Sequence, residues 1–280
     1  GEETSSFMAS EAAKRAVENA GISPEEIDLI LVASSSPDVI FPSVACEVQK
    51  AIGAVHASGY GMQAAWTGFV FAYQTAQAYI EAGFYKTILL IGSEALSTMV
   101  DWTDRGTCIL FGDGAGAAIL CAAEGKTYPP AAHMDGRKGE ALVCRSRFSD
   151  RFLEKYQNTG KVPGDTYISM DGRGVFQFAV KSVPQVVTEV LEKALLTTDD
   201  IDWFILHQAN QRIVESVAKR LKTDIERFPM NLQEYGNTSS ASIPILLDEM
   251  NRDGRLKRGQ KIIIAGFGAG LAWGASILEW

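Results

Sequence analysis

The chain is written twice, and that repeat limits its fold more than any other feature. SPEEIDLILVASSS (23–36) and TTDDIDWFILHQAN (197–210) each run from a capped acidic turn through Ile-Asp into an apolar strand, placing Ile27 on Ile201 at an offset of 174. The same offset lays YKTILLIG (85–92) on GQKIIIAG (259–266) and GMQAAWTGFV (61–70) on YGNTSSASIP (235–244). Three separated matches in one register imply two copies of one α/β unit. Each copy reads helix, strand, helix, loop, strand–helix corner, helix, strand. The helical segments SSFMASEAAKRAVENAG and VFQFAVKSVPQVVTEVLEKALL repeat apolar residues at i, i+3, i+4 and i+7. IDLILVAS, KTILLIGS, DWFILHQ and KIIIAGFG are nearly all apolar, as strands covered by helices on both faces are. The expected architecture is α/β, two halves related by a pseudo-twofold axis: residues 1–123, an irregular connection over 124–164, and residues 165–280. In the second copy a strand-like piece, DTYISMDG (165–172), precedes the first helix, whereas nothing precedes the helix of the first copy. The expectation is that an N-terminal segment carrying this strand is missing, because a sheet without it would expose an apolar edge.

With 280 residues, 46% of them hydrophobic, the chain can bury a large core in one domain or two closely packed ones. A formal charge of −8 and a pI near 5.0 argue against a general nucleic-acid or anionic-membrane binder. No apolar run is long enough to span a bilayer, and the N-terminal pattern is amphipathic rather than that of a signal peptide. Cys46, Cys108, Cys121 and Cys144 show no CxxC or His-paired spacing, so no metal site is expected and a reducing cytoplasm is. The sequon at Asn237 is accordingly expected to stay unmodified. GDGAGAAIL (112–120) and GFGAGLAWGASIL (266–278) have the glycines of a phosphate loop. Both run into β-like segments instead of a helix, so they are expected to be turns between strands.

Of three histidines, His56 and His133 read as surface or loop residues. His207 ends the buried run DWFIL at a strand's carboxyl end, where open α/β sheets place their functional crevices. Its plain structural alternative is a core histidine with one satisfied hydrogen bond. Asn237 stands on a glycine-bearing turn at a helix start, where asparagine commonly caps. That turn is the second copy's counterpart of the corner GYGMQAAWTGF. If the axis brings the corners and strand ends face to face, His207, Asn237 and residue 66 converge. Imidazole and carboxamide donors suit a developing enolate or oxyanion. The place of a nucleophile is held by Trp66, which is neither nucleophile, acid nor base.

HQANQRI, YGNTSSASIP, FGDGAGAAIL, DWTDRGTCILFGDG and the closing GFGAGLAWGA resemble the thiolase-fold condensing enzymes over almost the whole chain. The nearest type is 3-oxoacyl-acyl-carrier-protein synthase III, the initiating ketoacyl synthase of bacterial fatty-acid synthesis. Chalcone-synthase-like and elongating enzymes share the fold and fit these motifs less well. The resemblance implies a layered αβαβα fold, a homodimer, and no tightly bound cofactor. It implies that a short acyl-CoA acylates a cysteine, and that malonyl-acyl-carrier protein then decarboxylates. The resulting enolate attacks the thioester to give 3-oxoacyl-acyl-carrier protein and CO2. By the same resemblance His207 and Asn237 stabilise the enolate, and the backbone amides of Trp66 and Ala269 form the oxyanion hole. Gly172, Arg173 and Phe176 of MDGRGVF, with Ala209, Phe267 and Gly268, would line the substrate channel. Arg212, Lys219 and Arg220 would meet the acidic carrier protein, although a solvated helix face is their plain reading.

Three departures stand out against the family pattern. Where the corner should read Ala-Ala-Cys-Thr/Ser-Gly-Phe, this chain has Ala64-Ala65-Trp66-Thr67-Gly68-Phe69, and Gly61 stands where an Asp is common. Ala269 replaces a glycine, a milder change because its backbone N–H survives. Tryptophan cannot form the thioester, so condensation is expected to be impaired in this form. The alternative is an inactive or decarboxylase-only homologue that binds carrier protein.

Overall fold

The computed structural model describes residues 3–280. Both copies enter their first strand through the same local chemistry. Ser23 caps a short turn while the Glu26 carboxylate accepts the Ser23 N–H at 2.7 Å; Thr197 and Asp200 repeat this box at 2.8 Å. The Asp28 carboxylate then accepts the N–H groups of Lys86 and Thr87, and Asp202 accepts that of Lys261. The Ile-Asp pair that exposes the repeat is therefore a lock between neighbouring strands, which holds their register without help from the hydrophobic pattern.

The first half comprises α1 (Ser5–Ala20), β1 (Leu29–Ala33), α2 (Val44–Ile52), β2 (Ser58–Met62), α3 (Gly68–Glu81), β3 (Thr87–Ala95) and β4 (Asp113–Cys121). Its sheet has the order β2-β1-β3-β4, with β1 parallel to β2 and β3, and β4 antiparallel to β3. There follow β5 (Ala131–Met134), β6 (Leu142–Val143), α4 (Asp150–Thr159) and β7 (Ser169–Met170). The second half continues with α5 (Gly172–Ala194), β8 (Trp203–Leu206), α6 (Gln211–Leu221), α7 (Leu232–Tyr235), α8 (Ser242–Arg252), β9 (Lys261–Gly268) and β10 (Ala272–Glu279). Its sheet has the order β5-β10-β9-β8. The helices α3 and α8 begin 174 residues apart, as do β3 and β9, so the offset read from the sequence is the offset of the fold.

Burial sorts these elements into five layers. Ala9, Ala13 and Val17 of α1 and Val44 and Val48 of α2 cover one face of the first sheet, against Ile30, Val32, Leu89 and Ile91. Phe69, Val70 and Tyr73 of α3, with Ile243, Leu246 and Met250 of α8, fill the space between the two sheets. Val183, Val187 and Val190 of α5 and Ile213 and Val217 of α6 close the far face of the second sheet. The result is the expected layered thiolase-like architecture.

Three details differ from the sequence reading. Residues 165–172 do not lead the second sheet; Ser169–Met170 pairs with Leu142–Val143 in a separate two-stranded piece. The edge position beside β10 is taken by β5, which lies inside the stretch read as irregular. Alternation in so short a strand is too weak to see. Among the described residues, no strand occupies the matching edge of β4. Third, residues equivalent to β2 form the short helix α7, so the second corner is reached from a helical turn. Of the two glycine-rich stretches, 266–278 contains the expected turn between strands, whereas 112–120 lies mostly within β4 itself.

Candidate active site

Each half contains a tight corner held by a left-handed residue that is not glycine: Ala65 at φ +42° and Ser239 at φ +53°, again 174 apart. Such backbone costs on the order of 1 kcal/mol and persists where packing enforces it. The enforcement here is reciprocal. Gly266 of β9 lies under the first corner, where an added Cβ would stand 3.1 Å from the Trp66 carbonyl. Gly92 of β3 lies under the second, where a Cβ would fall on the Ser240 backbone. Each corner thus rests on the other half's strand, and this brings residues 66, 207 and 237 together.

Asn237 is fixed on both sides of its backbone: its N–H donates to the Leu110 carbonyl at 2.9 Å and its carbonyl accepts from Gly112 at 3.0 Å. Its side-chain Oδ1 accepts the Ser239 N–H at 3.0 Å and, from across the halves, the indole Nε1–H of Trp66 at 2.9 Å. With the oxygen so engaged, the amide NH2 remains the donor end. His207 follows β8, with its N–H bonded to the Ala265 carbonyl at 2.8 Å and the Phe267 ring edge-on at 5.2 Å. It is 1% exposed, and burial lowers its pKa to about 3, so the ring is neutral. Its Nδ1 lies 2.8 Å from Ser242 Oγ, which also lies 2.9 Å from the Ser239 carbonyl. A hydroxyl has one proton to give. Given to Nδ1, it leaves Nε2 protonated as a donor; given to the carbonyl, it leaves Nε2 as an acceptor.

Trp66 is packed as a core residue. It is 8% exposed and sits among Leu96, Val100, Leu142 and Ile168, with the Phe111 ring at 6.1 Å. Beneath it only glycine fits, since a Cβ on Gly268 would lie 2.6 Å from the Trp66 Cβ. Beside the indole remains a cavity of about 250 Å³, bordered by Leu96, Leu142, Cys144, Ile168, Ala269 and Trp66 itself. Its wall is mainly apolar. Neither His207 nor Asn237 borders it; the indole stands in the corner from which they would be reached.

The remaining candidates are distributed around this centre. Ala269 shares the cavity with Trp66, in the turn between β9 and β10. Gly172 and Arg173 are exposed on the first turn of α5. Phe176 packs with the second-half core, whereas its neighbour Val175 packs with the Trp66 cluster. Ala209 packs beside the second-half core, next to His207. Arg212, Lys219 and Arg220 are exposed on α6, opposite its buried Ile213, Val214 and Val217. Arg220 also borders a shallow outer groove of about 280 Å³ with Glu189 and Glu192, remote from the corners. The Cys144 thiol donates to the Thr166 carbonyl at 3.3 Å, and burial raises its pKa. Sequence reasoning missed Leu142, Ile168, Ser242 and the buried Glu94. The hydroxyl-rich SSAS after Asn237 was the one signal that pointed to Ser242. Among the described residues, no cluster of His, Cys, Asp or Glu could hold a metal, and no helix is long and apolar enough to cross a membrane.

Comparison with known proteins identifies the family of this fold. The family described as 3-Oxoacyl-[acyl-carrier-protein (ACP)] synthase III matches residues 60–136, and its C-terminal counterpart matches residues 191–280. The beta-ketoacyl-[acyl-carrier-protein] synthase III of Clostridium acetobutylicum is 48% identical over 284 residues, covering 99% of this chain and 85% of that one. The chain belongs to the 3-oxoacyl-acyl-carrier-protein synthase III family. The Neisseria meningitidis synthase III is 44% identical, with 99% and 85% covered. The crystal structure of the synthase III from Aquifex aeolicus superposes with a TM-score of 0.91 at 40% identity, covering 100% of this chain and 86% of that one. Synthase III enzymes are acyltransferases, ketoacyl synthases of fatty-acid biosynthesis on a thiolase-like fold. The matched segments contain both corners, and Trp66 lies within the first of them.

Proposed function

We propose that this chain is an initiating condensing enzyme built for a short acyl-CoA and malonyl-acyl-carrier protein, with condensation disabled in this form by Trp66. The observation that carries the proposal is the 2.9 Å bond from the Trp66 indole to Asn237, with the ring filling the corner. Condensation needs a thiolate at residue 66 to attack the acyl-CoA carbonyl and expel CoA thiolate, its oxyanion held by the N–H groups of residues 66 and 269. The malonyl thioester then loses CO2, and the bonding electron pair moves onto the thioester oxygen as an enolate. The amide NH2 of Asn237 and a protonated Nε2 of His207 are the donors placed to stabilise it. The enolate carbon attacks the acyl thioester and releases the enzyme thiolate.

Trp66 interrupts both halves of this sequence. Indole offers no nucleophile for acyl transfer, and its ring separates His207 and Asn237 from the cavity. The test is Trp66→Cys, which should form an acyl-enzyme with acetyl-CoA and condense it with malonyl-acyl-carrier protein, whereas the parent chain does neither. A parent that releases CO2 from the malonyl thioester without condensing would favour the decarboxylase-only alternative.

Arg212, Lys219 and Arg220 are the proposed contacts for the acidic carrier, supported by their shared exposure on α6. A homodimer is supported by β2, an exposed strand at the edge of its sheet, and by Ile40 and Phe41, 62% and 85% exposed just before α2, which packs on β2. The proposed location is the cytoplasm, where acyl-CoA and reduced thiols are found.

A further inference from the structure

Glu94, near the end of β3, is fully buried where the two halves meet. Its carboxyl meets only serines and one backbone N–H. Oε2 accepts the Ser35 N–H at 3.0 Å and the Ser36 hydroxyl at 2.6 Å, and Ser36 Oγ in turn accepts the Ala95 N–H at 2.8 Å. Oε1 lies 3.0 Å from both Ser239 Oγ and Ser240 Oγ. Among the described residues, no cation pairs with it. The elements around it, the end of β1, β3 and the second corner, present no charged side chain to it. The one titratable group linked to it is neutral His207, through Ser239 and Ser242.

A proton inventory favours the neutral state of this carboxyl. Ser240 Oγ also lies 2.9 Å from the Ala33 carbonyl, which can only accept. If Ser240 donates there, its oxygen faces Oε1 with no proton between them unless Glu94 carries one. With the proton on Oε1, the chain Glu94 O–H to Ser240 O–H to Ala33 carbonyl uses each donor once, and Ser36, Ser35 and Ser239 still donate to the carboxyl. An ionised Glu94 would instead be a buried charge with no cation beside it.

We propose that Glu94 is held as a neutral carboxylic acid and that its clamp on Ser239 and Ser240 positions Asn237 and His207. Ser239 transmits the clamp to both. Its N–H donates to Asn237 Oδ1 at 3.0 Å, and its carbonyl lies 2.9 Å from Ser242 Oγ, the partner of His207 Nδ1. Burial raises the carboxyl's pKa, and the surrounding hydrogen bonds only partly oppose this. Glu94 is thus a positioning residue. The inference rests on where Asn237 and His207 stand and is independent of whether residue 66 permits turnover.

The test uses the chain as it is, with no assay of turnover. An infrared difference spectrum at neutral pH between the parent and Glu94→Gln should show the C=O stretch of a protonated carboxyl disappearing. A lost carboxylate band instead would overturn the neutral acid. The five tryptophans give five indole N–H signals in a 15N spectrum, with that of Trp66 assigned through Trp66→Phe. Glu94→Gln, whose NH2 can donate to Ser240, should leave the Trp66 signal in place. Glu94→Ala should shift it and speed its hydrogen exchange at least about tenfold, leaving the other four unchanged. An unmoved Trp66 signal in a folded Glu94→Ala protein would overturn the positioning role. If Glu94→Ala does not fold, Glu94→Gln decides: Trp66 unmoved supports the clamp, and Trp66 alone displaced overturns it.

Discussion

Trp66 occupies the proposed nucleophile position and makes it part of the packing. Replacing it with Phe removes the bond to Asn237 Oδ1 while keeping most of the ring, and should cost about 1 kcal/mol in urea unfolding. Trp66→Cys empties far more space and should cost about 3 kcal/mol, with the vacated volume joining the cavity beside it. His207 adds a pH signature. Its folded pKa of about 3 lies below the ordinary 6.5, so below pH 6.5 the unfolded chain binds a proton that the folded chain does not. Stability from this site is therefore complete above pH 6.5 and lost as pH falls toward 3. Glu94 runs the other way: its raised pKa stabilises the fold fully below 4.5, and the contribution declines as pH rises through the folded value. Unfolding measured across pH should thus show His207→Gln gaining on the parent below 6.5, and Glu94→Gln gaining above 4.5. His207, Asn237 and the anomaly at Trp66 were legible because their residue types are wrong for a strand end or a nucleophile corner. Glu94 was not, since GSEALS reads as an exposed strand end and burial arises only when the second corner folds over it.

At the scale of elements, the two corners depend on bare backbone beneath them. Gly92→Ala would drive a methyl group into the Ser240 backbone and should destabilise the protein by about 3 kcal/mol, measured by urea unfolding. An alanine accommodated without loss would contradict the cross-supported corners. The strands β1, β3, β8 and β9 were readable because each is a continuous apolar run between capped turns. The strand β5 was not, since Ala131–Met134 has neither length nor alternation and is a strand only because β10 offers it an edge. The replacement of a second β2 by α7 was equally hidden. The repeat aligned the residues there, but tertiary packing chose their backbone.

For the whole molecule, duplication explains why one site forms rather than two. The axis brings the corners together, yet only the second half supplies His207 and Asn237, and only the first presents residue 66. The exposed edge of β2 gives the assembly a testable form. If the proposed dimer forms through that edge, Tyr60→Lys should shift sedimentation toward monomer relative to the parent at the same concentration. The central claim, that condensation by this synthase III chain is blocked at one side chain, is tested most directly by intact mass after incubation with acetyl-CoA. The account predicts no adduct on the parent and a single acetyl group at position 66 of Trp66→Cys. An acetylated parent, or a folded Trp66→Cys protein that stays unmodified, would contradict it.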